Sequence, residues 1–95
     1  MGGDVDGMAA LFELRALIDS GEGQMTLGRE AIRAFFAEIT ATGRIFELGI
    51  QSPAIINGDL ALTSTRLHDG SVTAEVARRQ ADGTWLWVID KFSIA

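Results

Sequence analysis

Asp82-Gly83-Thr84-Trp85-Leu86-Trp87-Val88-Ile89-Asp90 is the stretch that decides the fold. An Asp-Gly pair followed by an aromatic and β-branched run marks a hairpin turn entering a strand. Two more such pairs precede it, Asn57-Gly58 and Asp69-Gly70. Both central residues of a type I′ turn need positive φ, which Gly, Asn and Asp tolerate. Their spacing divides the second half of the chain into four strands, about residues 44–56, 59–68, 71–81 and 84–94. Tight turns make neighbouring strands antiparallel. Pro53 has no N–H for a ladder, so the first strand should bulge there or lie at an edge. Strands this long exceed the usual run of about five or six residues and should coil strongly.

Upstream, Arg29 to about Thr42 carries the clearest helical pattern. Ile32, Phe35, Phe36 and Ile39 fall on one face by the three-and-four rule. Glu30 lies in the first turn, where the helix dipole favours an anion, and Gly43 suits the residue after the last turn. Asp4 to Glu13 reads as a short helix with Met8, Leu11 and Phe12 on one side. Leu14 to Asp19 reads as a short strand, Ser20-Gly21-Glu22-Gly23 as a turn, and Gln24 to Leu27 as a brief return strand. The pattern gives an α+β fold: a coiled antiparallel sheet meander wrapped on one amphipathic helix, a half-barrel or cone whose hollow suits a ligand.

Composition bounds what such a domain can do. The 95 residues make one domain, residues 1–95, with 47% hydrophobic residues for a core. The net charge is −5, from 8 basic and 13 acidic residues, and the basic ones are scattered. Neither nucleic acid nor an anionic membrane is an expected partner. Without cysteine there are no disulfides, thiol chemistry or cysteine metal sites. One histidine without a carboxylate cluster gives no metal site, and no cofactor is expected. No apolar run approaches the roughly 18 residues of a membrane span, and the N-terminus lacks a signal core. A cytoplasmic protein is the expectation.

Three features together resemble a known family. They are Gly28-Arg29-Glu30-Ala31-Ile32-Arg33-Ala34-Phe35-Phe36, Asn57-Gly58-Asp59-Leu60-Ala61-Leu62, and Asp82-Gly83-Thr84-Trp85. The sequence from about Asp4 onward resembles SnoaL-like members of the nuclear transport factor two-like superfamily, which includes ketosteroid isomerases, polyketide cyclases and limonene epoxide hydrolases. The resemblance implies a cone-shaped, cystatin-like α+β barrel with a deep apolar pocket, often dimeric. It also places Asp19 near the base of the ketosteroid isomerases. Two departures stand out: the N-terminal helical section is about ten residues, shorter than the family's lid, and there is no tyrosine.

The candidate site residues follow from strand alternation. Counted by twos, Leu86, Val88, Asp90, Phe92 and Ile94 share one face of the last strand, and Trp85, Trp87 and Ile89 the other. A carboxylate in an apolar row is pushed toward its neutral form, which makes a general acid or base. The alternative is a structural Asp90 paired with Arg66 or Arg78, or one at a wet strand end. Asp19 is the second catalytic candidate, with a turn-forming aspartate as the ordinary explanation. Arg66 could reach into the hollow to bind a carboxylate or stabilise developing charge, or it could snorkel at a strand end. Val88 and Phe36 are candidates for the pocket lining, although Phe35 and Phe36 also fit a core stripe. His68, at a loop tip, reads as a rim residue. Trp85 and Trp87 are the expected dimer surface, since tryptophan is enriched at interfaces.

Three readings remain open from the sequence. The first is a small-molecule pocket protein acting on an apolar substrate without cofactor, as an isomerase, cyclase or hydrolase. It expects a cavity of several hundred Å³ reached by a carboxylate. The second is a non-catalytic ligand-binding or dimerisation module. The third is a fragment of a longer member.

Overall fold

A computed structural model describes residues 4–43 and 49–94. In chain order the elements are α1 (Val5–Ala10), β1 (Phe12–Gly21), β2 (Gln24–Leu27), α2 (Arg29–Ala41), β3 (Ile50–Gln51), β4 (Ile55–Asn57), β5 (Leu60–Thr63), β6 (Thr65–Arg66), β7 (Ala74–Arg79) and β8 (Trp85–Lys91). Asp4 caps α1, its carboxylate accepting from the Gly7 N–H at 2.9 Å. This helix is shorter than the sequence suggested and β1 correspondingly longer. The reason is pairing: β1 lies between β2 and β8, so its backbone groups find partners on both sides.

Six strands form one sheet in the order β2-β1-β8-β7-β5-β4. The β7–β8, β5–β7 and β4–β5 pairs are antiparallel, as the turns implied, but β1 pairs with β8 in parallel. The sheet is therefore a meander closed by a parallel contact between the two ends of the chain. Of the expected first strand, residues 44–48 lie outside the described residues. The rest divides around Pro53 into β3 and β4, which belong to different sheets. β6 pairs with β3 in a separate two-stranded sheet. At the β4–β5 turn, Asn57 opposes Leu60, so the central pair is Gly58-Asp59 and not Asn57-Gly58. Gly58 has φ +60°, and Asp59 is spared a positive φ. That one-residue slide meets the glycine-first requirement of a two-residue hairpin.

The helix α2 lays its apolar stripe on the sheet. Ile32 and Phe36 are buried, together with Phe12, Ala16 and Ile18 of β1, and Val5, Met8, Phe35, Trp87 and Phe92 pack around them. Phe36 lies 5.8 Å from Phe12 and 5.4 Å from Phe35, and Phe35 lies 5.9 Å from Phe92, ring centre to ring centre. Arg29 ties the start of α2 to β1, its Nε and Nη2 donating to the Phe12 carbonyl at 2.9 and 2.6 Å.

One irregularity controls which side chains share a face. Opposite β7, Val76 pairs with Ile89 but Ala77 pairs with Trp87, so Val88 is an extra residue in β8. A bulge of this kind resets the alternation. Trp87 and Asp90 consequently share the helix-facing surface, with Phe92, whereas simple alternation had put Trp87 and Asp90 on opposite faces.

Candidate functional site

The lateral register defines a polar row within the helix-facing surface. Ile18 of β1 opposes Asp90 of β8, Asp90 opposes Glu75 of β7, and Glu75 opposes Thr63 of β5. Cross-strand partners point to the same side. Ile18 is fully buried at one end, and Thr63 is buried at the other. Thr63 Oγ1 donates to Glu75 Oε1 at 2.8 Å. No hydrogen bond or ion pair reaches the Asp90 carboxylate among the described residues. Burial, and secondarily the charge of Glu75, push the Asp90 carboxyl up to about 7. It therefore exchanges its proton at neutral pH, the property a general acid or base needs.

The pairing of Asp90 with Arg66 or Arg78 that the sequence allowed is not found. Arg78 binds Glu13, Nε to Oε2 at 3.0 Å. Arg66 is exposed in β6, opposite Ile50 of β3. The partner facing Asp90 is instead a second carboxylate, Glu75. Asp19 lies on the other face of the sheet. Its neighbours by register are Met25 and Lys91, and its carboxylate accepts from Lys91 Nζ at 2.7 Å and the Gly21 N–H at 3.0 Å. The Lys91 bond, then the Gly21 bond, hold Asp19 below the ordinary carboxylate range. The structure does not bring Asp19 and Asp90 together. Phe36 belongs to the core, Val88 to the bulge, and His68 to an exposed turn. Trp87 packs on core side chains, whereas Trp85 is 38% exposed.

Glu75 and Thr63 escaped the reading of the sequence. Taking Asp82-Gly83 as a two-residue turn sets Asp90 opposite Glu75. The loop observed is one residue longer, with Gln80 bonded to Thr84, and the extra Val88 brings Asp90 back opposite Glu75. An open hollow of about 660 Å³ lies elsewhere, at the start of α2, between Leu14, Leu27, Gly28 and Ala31. Its cation, Arg29, is already bonded to the Phe12 carbonyl, and Glu30 is exposed, so it offers little organised chemistry. The Asp90 row is the better candidate because it joins burial to a perturbed acid. Among the described residues, no three His, Cys, Asp or Glu side chains are grouped to hold a metal. No helix among them is long and apolar enough to cross a membrane.

Solved structures share this fold. A nuclear transport factor two-like protein with a cystatin-like fold from Novosphingobium aromaticivorans superposes with a TM-score of 0.66 at 21% identity, over 93% of this chain and 67% of that one. The fold is nuclear transport factor two-like. A putative calcium/calmodulin-dependent protein kinase type II association domain from Thiobacillus denitrificans has this fold as well, with a TM-score of 0.74 at 19% identity over 93% and 79% of the two chains. So has a putative ketosteroid isomerase from Parabacteroides distasonis, with a TM-score of 0.65 at 14% identity over 93% and 73%. No protein-family model matches the sequence, and no curated protein matches it. At these identities the nuclear transport factor two-like likeness concerns fold, and the chemistry has to be argued from side chains.

Proposed function

We propose that this chain is a small-molecule pocket protein of the SnoaL-like type, in which Asp90 carries a proton to or from an apolar substrate without a cofactor. The observation behind this reading is the Asp90 carboxyl itself: half-buried, without a hydrogen bond or ion pair among the described residues, and pushed up to about 7 on the helix-facing side of the sheet. Trp87 and Phe92 share that side, so an apolar ligand would meet aromatic walls and one titrating group. The proton-transfer classes suggested by the resemblance, isomerisation, cyclisation and epoxide opening, all use such a group. Asp90 fits the role better than Asp19, because a carboxylate held by Lys91 and Gly21 is a poor base at its lowered affinity for protons. The test is deuterium incorporation next to the carbonyl of a panel of apolar cyclic ketones. Exchange should rise through pH 7 and fall at least about 100-fold in Asp90→Asn, the usual size of a general-base contribution. Asp19→Asn should leave it intact. Equal exchange by wild type and Asp90→Asn would end this assignment.

A second reading, a dimerisation module, has its own observation on the opposite side of the sheet. Leu27, Leu17, Ile89, Val76, Leu62 and Ile55 are successive register partners across all six strands. Leu27 and Ile55 are each 67% exposed. An apolar row of that breadth favours a covered surface. A second copy of the chain would cover it with Ile89 near the centre, and Trp85 and Trp87 would then be secondary to it. Sedimentation equilibrium at micromolar concentration tests this. Wild type should be dimeric and Ile89→Asp monomeric, while a monomeric wild type would remove the reading.

A further inference from the structure

Asp90 is one end of a short chain of side chains, and the other end is where its proton affinity is controlled. We infer that Glu75 is a positioning residue for Asp90, and that Thr63 holds Glu75 in place to act as one. This rests on the reading of Asp90 as the proton carrier and extends it to the residues that regulate the group. Three geometric facts support it. Glu75 is the direct cross-strand neighbour of Asp90, and Thr63 is the direct neighbour of Glu75. Directly opposed residues have Cβ atoms about 4.5–5.5 Å apart, so two carboxyls placed this way feel each other strongly. The Thr63 hydroxyl is buried and spends its one proton on Glu75 Oε1, at 2.8 Å. That bond holds one oxygen of the Glu75 side chain and limits its swing toward water.

Among the described residues, no cation opposes this influence. The neighbour of Asp90 on β1 is Ile18, and the core side chains that α2 contributes are Ile32 and Phe36. The described cations that make ion pairs or hydrogen bonds are engaged away from the row. Arg29 serves the Phe12 carbonyl, Arg33 pairs with Asp6, Arg78 with Glu13, Arg79 with Asp59 and Lys91 with Asp19. Arg15 and Arg66 are exposed. Like charges set side by side favour protonation of one of them, and here Asp90, with no hydrogen bond among the described residues, takes the proton. The desolvation of Asp90 and the charge of Glu75 act in the same direction.

The experiment is a carbon-detected NMR titration of the Asp90 side-chain carboxyl in the full chain, with amide spectra confirming the fold of each variant. In wild type the midpoint should lie near neutrality. In Glu75→Gln it should fall by about one pH unit, the influence of a close charge, while burial keeps it above the ordinary range. Thr63→Val should lower it by less, because an untethered Glu75 moves away, and Thr63→Ser, which keeps the donor, should restore it. A merely structural Thr63 or Glu75 would change stability without moving this midpoint. If Asp90 titrates near neutrality and Glu75→Gln leaves it there, the inference falls and the proton-carrier reading stands. If wild-type Asp90 titrates as an ordinary carboxylate, both fall. Should Thr63→Val not fold, Glu75→Gln and Thr63→Ser still decide the matter.

Discussion

Replacing Asp90 with Asn should stabilise the protein at alkaline pH and leave it nearly unchanged in mild acid. The folded chain holds the Asp90 proton up to about pH 7, whereas the ordinary carboxyl loses it near 3.8. Between those values the folded state binds more protons than the unfolded state. Stability therefore falls as pH rises across that window and levels off above it. About three pH units at roughly 1.36 kcal/mol each give a loss of about 4 kcal/mol. The carboxylates with lowered values, Asp19, Asp69 and Asp82, act in the opposite sense. Their contribution is present above the ordinary carboxylate value and disappears as pH falls through their own, so it lies below the Asp90 window. Urea unfolding followed by tryptophan fluorescence, from about pH 4.5 to 8.5, measures the effect. With a slope near 1–1.5 kcal/mol/M for a small domain, the wild-type midpoint should fall by roughly 3 M across that range. Asn cannot ionise, so Asp90→Asn should keep its midpoint and exceed wild type by about 4 kcal/mol at the alkaline end. Parallel stability curves for the two proteins would show that Asp90 is an ordinary exposed carboxylate.

Two further substitutions test the frame that holds the row. Ile32→Ala removes a fully buried side chain between α2 and β1 and should cost about 3 kcal/mol, read as a lower urea midpoint with an unchanged slope. Gly49→Ala should also destabilise, because a Cβ there would lie 2.3 Å from the Arg66 carbonyl oxygen and 2.6 Å from Thr65 Cγ2. Its signature is disturbance of the β3–β6 pair, seen as loss of amide protection at Ser52, which donates to the Ser64 carbonyl, with the Ile18 amide unaffected.

What the sequence made legible was whatever is written locally. The helix face of Ile32 and Phe36 and the turn glycines at 58, 70 and 83 depend on neighbours within a few residues, and the structure has them. The antiparallel pairs β4–β5 and β7–β8 follow from short connections. The parallel pairing of β1 with β8 joins opposite ends of the chain, and nothing near Phe12 or Trp87 announces it. Asp90 was legible as an acid among apolar residues. Its partner was not, because Glu75 comes from the neighbouring strand, and the two are set opposite each other by the loop before β8 and the bulge within it together. The apolar residues of the last strand sit on both of its faces, so hydrophobicity alone gives no warning of the slip.

That count can be tested by deleting Val88. Trp87 and Asp90 are three positions apart yet share the helix-facing side, because Val88 is supernumerary. Removing it leaves Trp87 opposite Ala77, Ile89 opposite Val76 and Asp90 opposite Glu75, now in regular alternation. The shortened strand should fold, keep a single set of well-dispersed amide signals, and retain an Asp90 carboxyl that titrates near neutrality. If β8 were instead a regular strand, with Trp87 and Asp90 on opposite faces, deletion would move Ile89, Asp90 and Phe92 together to the wrong sides. The Phe35–Phe92 contact, 5.9 Å between ring centres, would be lost along with the burial of Asp90. Thermal unfolding by circular dichroism separates these outcomes. A cooperative transition with Asp90 still raised supports the bulge. An unfolded or molten chain would refute it, and with it the placing of Trp87 and Asp90 on one face.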